Sequence, residues 1–208
     1  MTSLSPVLLA GLSLFALVSS LTPGPNNMML LASGANFGLR RTIPHLMGVS
    51  LGFVLLVWIV GLGLGAVFAA WPPLHAVLQI LGGLYLAYLA WKIATASGIG
   101  GGASAARPMT FLQAAAFQWV NPKAWAMALG ATTTYAPQQH YVANILVVGA
   151  VFGAINMPCV ALWASLGTVM RRFLSRPGIL RLFNYGMAAL LLISLYPVVG
   201  ELMRASGR

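Results

Sequence analysis

A lysine, Lys123, stands in the middle of an apolar stretch running from Phe111 to Thr133, directly after the pair Asn121-Pro122. Each end of the stretch is about a dozen residues away, roughly 18 Å at the helical rise of ~1.5 Å per residue. A lysine stem cannot reach water across that distance. A cation at the centre of a membrane helix costs roughly 2.5–3.5 kcal/mol on insertion scales. It therefore has to face a wet cavity, a cluster of carbonyls or an anionic ligand; the alternative is a helix that starts later and leaves Lys123 at the interface.

A second break lies at Thr22-Pro23-Gly24-Pro25-Asn26, inside the apolar run Pro6 to Phe37. Each proline removes a backbone donor and clashes with a preceding carbonyl. The helix should stop near Leu21 and restart near Asn26, with Thr22 or Asn26 as its cap. Lipid cannot satisfy the backbone groups freed by such a break, so it must be buried in protein or line a wet cavity. A restarted half-helix presents free N–H groups and the positive end of its dipole, which suit a carboxylate. The candidate substrate-binding residues are thus Thr22, Pro23, Gly24, Pro25, Asn26 and Asn27 from the first break. The second contributes Asn121, Pro122 and Lys123, with Gln118 assisting. A small zwitterion would place its carboxylate at Asn26-Asn27 and the Lys123 ammonium. Its own ammonium would meet the freed carbonyls of Leu21 to Gly24.

The acidic inventory sharpens this. Glu201 is the one Asp or Glu in the chain. Paired carboxylates, a metal cluster, a phosphate loop and a nucleophile–base pair are all missing, so neither an enzyme nor an ATP-driven pump is expected, and no cofactor or metal. A dibasic substrate would meet Lys123 without a counter-charge, which disfavours lysine or arginine as cargo. His45, His75 and His140 are far apart, lie near predicted interfaces and read as surface histidines. Cys159 sits in an apolar run and reads as a small buried hydrophobe.

The elements that position these residues follow from composition. The chain is 60% hydrophobic and 6% charged, against roughly 25% charged for a soluble domain. The reading is an all-α membrane protein, a single domain over residues 1–208. Runs long enough for a span are Pro6 to Phe37, Ile43 to Ala69, Leu74 to Ala96, Phe111 to Thr133, Tyr141 to Met170 and Ile179 to Met203. That predicts six transmembrane helices, with the first and fourth broken. No Lys or Arg precedes the first run, and Thr-Pro-Gly-Pro is not a small-residue cleavage site, so it is not read as a signal peptide.

The net charge of +10 does not point to nucleic acid, because the basic residues sit at the ends of the runs. Arg40 and Arg41 follow span one, Lys92 and Arg107 flank the connection after span three, and Arg171, Arg172, Arg176 and Arg181 follow span five. These loops should be cytoplasmic, with both termini outside; Arg204 and Arg208 oppose this weakly. Halves of approximately 1–97 and 110–208, joined by a Gly-rich cytoplasmic linker at 98–109, form a predicted 3+3 inverted repeat. Each half begins with a proline-broken span, and each next span carries a small-xxx-small pair, Gly48/Gly52 and Gly149/Gly153. Broken segments at corresponding positions of two halves point to a transport site.

Gly34/Gly38, Gly61/Gly63/Gly65 and Gly82/Gly83 are, with those pairs, expected to allow close helix contact, including contact in a homodimer. Asn156 and Pro158 in span five read as a kink with a helix–helix hydrogen bond. The six tryptophans read as core or interfacial anchors.

Thr22-Pro-Gly-Pro-Asn26, the spacing of Gly38, Arg40 and Gly48, Gly83-Leu-Tyr-Leu-Ala-Tyr88 and Asn121-Pro-Lys123 together resemble the LysE/RhtB family of amino-acid exporters. The resemblance covers nearly the whole chain. It implies a multi-pass protein of the bacterial inner membrane that moves amino acids or their derivatives out of the cell. Thr22-Pro-Gly-Pro-Asn-Asn27 and Leu89-Ala-Trp-Lys-Ile-Ala-Thr95 look most like the cysteine and O-acetylserine exporters within it. Gln79 departs from a lysine found in many members, and Tyr196-Pro197 from a glycine. The expectation is export of small neutral amino acids by alternating access, with substrate and lipid bilayer as partners. Alternatives are a threonine or homoserine exporter, a passive channel, or a non-transporting membrane subunit.

Overall fold

The computed structural model describes residues 4–95, 107–196 and 199–200. Among these every regular element is helical. Helix α1 (Pro6–Leu21) opens on Ser5, whose hydroxyl accepts from the Leu8 N–H at 3.2 Å, and on Pro6, whose missing donor costs nothing in the first turn. It ends where Pro23 and Pro25 can no longer donate. Helix α2 (Pro25–Phe37) leaves at 53° to it. Its cap is Gly24, with no side-chain bond, rather than Thr22 or Asn26. The Thr22 hydroxyl instead turns back onto the Val18 carbonyl, and the Asn26 amide is engaged elsewhere.

Gly38, at φ 79, takes the chain into α3 (Leu39–Ile59). A π turn at Val60–Leu64 leads into α4 (Gly65–Ala70), with Gly63 at φ 135. Gly38 and Gly63 are therefore turn residues; a Cβ at Gly63 would meet nothing within 4 Å, so close contact is not what requires that glycine. Next come α5 (Pro72–Ala94) and α6 (Phe111–Phe117), the latter capped reciprocally by Thr110 and Gln113. A 3-10 turn, Gln118–Val120, ends at Asn121, and α7 (Pro122–Tyr135) restarts from it. Helix α8 (Tyr141–Met170) runs unbroken through Pro158, and α9 (Pro177–Ile193) follows a second 3-10 turn.

Leu39–Val67 and Tyr141–Met170 are each long and apolar enough to cross a membrane, and α1 with α2 forms a third span if the bent pair counts as one. Ile80–Ala94 in α5 and Gly178–Ile193 in α9 are shorter apolar helices. The predicted fourth span is divided between α6 and α7, of 7 and 14 residues, each short of the ~20 a span needs. The linker 98–109 lies outside the described residues up to 106, as do Pro197, Glu201, Arg204 and Arg208 and the side chains of His75 and Gln79.

Helix α8 is the hub. It carries α2, α3 and α1, while α3 also packs on α6, and α5 on α9. Two contacts are at backbone distance. A Cβ at Gly34 would lie 2.0 Å from the Ala164 carbonyl oxygen, and one at Gly167 2.0 Å from that of Leu31. Across the molecule, Gly48 and Gly52 give the same access to Phe111 and Ala115 of α6, and Gly82 to Val120. Gly149 receives the Trp58 ring and Gly153 the Val54 side chain. Gly34, Gly48, Gly52, Gly82, Gly149 and Gly153 thus meet neighbours within one chain.

Candidate functional site

The first break frees the last carbonyls of α1, because the residues that would bond them are displaced. Asn27 answers two of these: its amide donates to the Ser20 carbonyl at 2.8 Å and the Thr22 carbonyl at 2.9 Å. Lys123 adds a second donor at Thr22 and reaches one residue further. Its ammonium donates to the Thr22 carbonyl at 2.5 Å and reaches the Pro23 carbonyl at 3.5 Å. Of the three surroundings expected for this cation, the structure provides the carbonyl cluster, beside a small cavity that the residue also lines. The second break delivers it there: Asn121 accepts from the Lys123 N–H at 3.2 Å and so caps α7, and Gly24 lies against the lysine stem, a Cβ there falling 2.6 Å from Cδ.

The carbonyls expected to receive a substrate ammonium are therefore held by the protein's own ammonium in this conformation. The breaks meet side by side, and they complete each other. Gln118 likewise turns inward: it is fully buried and exchanges two amide hydrogen bonds with Asn26, at 2.8 and 3.2 Å. It braces the breaks against each other across α2 and the 3-10 turn.

A cavity of about 20 Å³ opens between the breaks. Gly24, Asn26, Asn27, Asn121 and Lys123 line it; Thr22, Pro23, Pro25, Gln118 and Pro122 do not. Its volume suffices for a water, which needs about 10–15 Å³, and not for an amino acid. Ser19, Ser20 and Asn156 complete its polar wall, with Phe53, Met127 and Val160 on the apolar side. Asn156 was expected only to bridge helices. It does so, donating to Ser20 Oγ at 3.0 Å and accepting from Ser50 Oγ at 3.5 Å, but it also borders the cavity. Sequence reasoning missed Ser19 and Ser20. Their signal was two hydroxyls in the last turn before the break, of which Ser20 meets Asn27 and Asn156.

The histidines divide. His140 is exposed and starts α8. His45, expected at the surface, is 2% exposed, with neither ring nitrogen hydrogen-bonded. The reason is that α3 begins at Leu39, earlier than the predicted Ile43, which carries His45 into the helix on its packed face. Cys159 is buried as expected, and no group of metal-ligating side chains occurs among the described residues.

Two interrupted apolar helices around a small polar cavity form the kind of arrangement that membrane transporters use for their binding sites. The chain belongs to the LysE family: the family model described as LysE type translocator matches residues 17–195. It is 33% identical over 193 residues to a protein named cysteine/O-acetylserine efflux protein in Shigella flexneri, covering 90% of this chain and 95% of the relative. Proteins of the same name in Escherichia coli and Shigella sonnei match with the same identity and coverage. No solved structure matches.

Proposed function

We propose that this protein exports small neutral amino acids or their derivatives across the bacterial inner membrane, by alternating access around the paired breaks. The observation that carries the reading is the Lys123 ammonium bound to the Thr22 carbonyl between two broken helices, 2.5 Å away. An ammonium already fits these carbonyls, so a substrate ammonium fits them too. Binding is then an exchange. The substrate carboxylate draws Lys123 off the carbonyls and meets the α2 N-terminus at Asn26 and Asn27. The substrate ammonium takes the place that Lys123 leaves. Among the described residues none carries a carboxylate for a second substrate cation, which favours neutral cargo. The relatives named for cysteine and O-acetylserine efflux support the same substrate class.

The six-span, 3+3 inverted arrangement belongs to this proposal, and the contact pattern supports it. Contact of the first broken unit with α8 is mirrored by contact of the second, α6 and α7, with α3. The α3–α8 and α5–α9 contacts are each their own mirror image under the same exchange of halves. Sidedness, with the basic loops cytoplasmic and both termini outside, is supported by how the basic residues gather. The Arg171 guanidinium lies 3.2 Å from a Cβ built on Gly38, and Lys92 and Arg107 border one cavity with His45. The ends of spans one, three and five are therefore together.

The test is counterflow of labelled cysteine, O-acetylserine, threonine, homoserine, leucine and lysine into liposomes holding the purified protein. Saturable exchange of a neutral amino acid, and none of lysine, is the expected result. Folded protein with no exchange would leave a non-transporting subunit, and flux that never saturates would leave a channel.

A further inference from the structure

The structure holds a second cavity, of about 80 Å³, at the opposite end of α2. The two linings share no residue, although Met29 of the second lies only two positions from Asn27 of the first, so they are separate chambers along one element. Its polar lining is Ser33, Asn36 and His45, with the exposed cations Lys92 and Arg107 at its edge. Met29 and Leu89 are among its apolar walls.

Three features make this a built site rather than a gap. His45 is the one described residue with buried, unpartnered side-chain polar atoms, and both nitrogens of its ring are in that state. A neutral imidazole offers one donor and one acceptor, and leaving both unused in a buried place is costly unless something enters to take them. The neighbouring polar groups, by contrast, are arranged. Thr42 donates to the Gly38 carbonyl at 2.9 Å, so at its 2.9 Å contact with Ser33 the Ser33 hydroxyl is the donor, and the Ser33 lone pairs stay open. Asn36 donates to the Ala32 carbonyl and to Asn184, which fixes it. Finally, the described part of the chain contains no Asp or Glu, since Glu201 lies outside it. Lys92 and Arg107 therefore have no described carboxylate to pair with.

We propose that this chamber is a second binding site for small carboxylates, amino-acid zwitterions among them, on the side of the membrane where the basic loops gather. The carboxylate is drawn by Lys92 and Arg107 and takes a hydrogen bond from His45; in a zwitterion the ammonium meets the open oxygen of Ser33. The volume has room for several waters, which suits the polar end of a small molecule better than a lipid headgroup. In the proposed export cycle, on which this role rests, the chamber collects substrate from the cytosol ahead of the chamber at the breaks.

The test uses the full chain, labelled with 15N-histidine, in nanodiscs of neutral lipid. The His45 resonance is assigned by its loss in His45→Gln, and the probes are serine, acetate and methylammonium. Serine and acetate should shift the signal saturably and methylammonium should not. The double substitution Lys92→Gln, Arg107→Gln should weaken the response by about tenfold or more, as loss of charge-assisted contacts does. Lys123→Met should leave it unchanged, because that residue belongs to the other chamber. In liposomes the same double variant should raise KM for the cytosolic face with the maximal rate kept. A folded protein whose His45 signal ignores both carboxylates overturns the proposal. So does a signal that responds only when phosphatidylglycerol is added to the disc, which would make the occupant a lipid headgroup. A titrating His45 in a protein that exchanges no amino acid would sink the export reading and leave the site standing.

Discussion

Replacing Lys123 with methionine separates what this residue does for folding from what it does for transport. The ammonium makes its main contact with the Thr22 carbonyl, at 2.5 Å. That oxygen does not become an orphan when the lysine is lost, because Asn27 also donates to it, at 2.9 Å. Only the Pro23 carbonyl, 3.5 Å from Nζ, loses its described donor, and Pro23 is exposed. Methionine keeps an unbranched stem over Gly24 and removes a charge that was costly to hold there. Stability should change by no more than about 1 kcal/mol, since the usual penalty of ~1–3 kcal/mol for an unsatisfied buried group does not apply. At ~2–4 °C per kcal/mol for a chain of this size, the melting temperature should move by a few degrees at most.

Transport should respond differently. A hydrogen bond to a charged group is worth about 1.5–3 kcal/mol, and each 1.4 kcal/mol is tenfold. If the substrate carboxylate replaces the carbonyls as the partner of Lys123, the substitution should raise KM by about 10- to 100-fold. The assay is counterflow across a concentration series, with fluorescence-detected melting on the same preparation. Unchanged KM and rate from protein with an unchanged melting curve would refute the exchange mechanism. A large drop in melting temperature would refute the account of how Thr22 is satisfied.

Asn27→Leu removes the amide that donates to the Ser20 and Thr22 carbonyls; Thr22 keeps Lys123 while the buried Ser20 carbonyl is stranded, so destabilisation of about 1–3 kcal/mol is expected, read as a lower melting temperature. Gly34→Ala drives a Cβ to 2.0 Å from the Ala164 carbonyl oxygen, and separating two backbones should cost about 1–3 kcal/mol or more, visible as reduced yield and earlier melting. Gly63→Ala meets no neighbour but must hold φ 135, so a cost of about 1–3 kcal/mol from backbone strain alone is expected, with substrate KM unaffected. Asn156→Ala cuts the links to Ser20 and Ser50 and should alter KM in counterflow more than it alters melting; an unchanged KM would remove Asn156 from the cavity wall's function.

Both breaks were legible because proline acts locally: a ring that cannot donate ends a helix whatever surrounds it. Lys123 was legible as a cation needing partners, since its distance from either end of the apolar run is fixed by helical rise. Which partners it finds was not. That depends on Asn27 folding back by a turn and on two distant segments meeting, neither of which periodicity encodes. The same limit hid Gln118, which was expected to help a substrate and instead braces Asn26. His45 was misplaced for a simpler reason. The hydrophobic run begins at Ile43, but Leu39, Arg40 and Arg41 are helical too, and a charged first turn looks like a loop when only hydropathy is read. Gly38 and Gly63 show a further ambiguity, since a glycine kept for its φ and a glycine kept for contact are identical letters.

The packing of α2 restricts how the proposed cycle can run. Every residue from Asn27 to Asn36 is buried, and at Gly34 and Gly167 the helix meets α8 backbone to backbone. Sliding α2 along α8 would carry Cβ atoms of neighbouring residues into those carbonyls, so the two must move together. The weaker joints are at the ends of this unit. At one end, α1 is tied to α2 by Asn27 and to α8 by Asn156; at the other, Asn36 pairs with Asn184 of α9 at 3.1 Å. Hydrogen bonds between side chains can exchange partners with water or substrate at little net cost, whereas interlocked backbones cannot. Access to the chamber at the breaks should therefore change by α1 and α7 turning about a rigid α2–α8 pair. In the proposed cycle, releasing Lys123 from the Thr22 and Pro23 carbonyls would free them, because Lys123 is the one described α7 side chain hydrogen-bonded to the α1–α2 break.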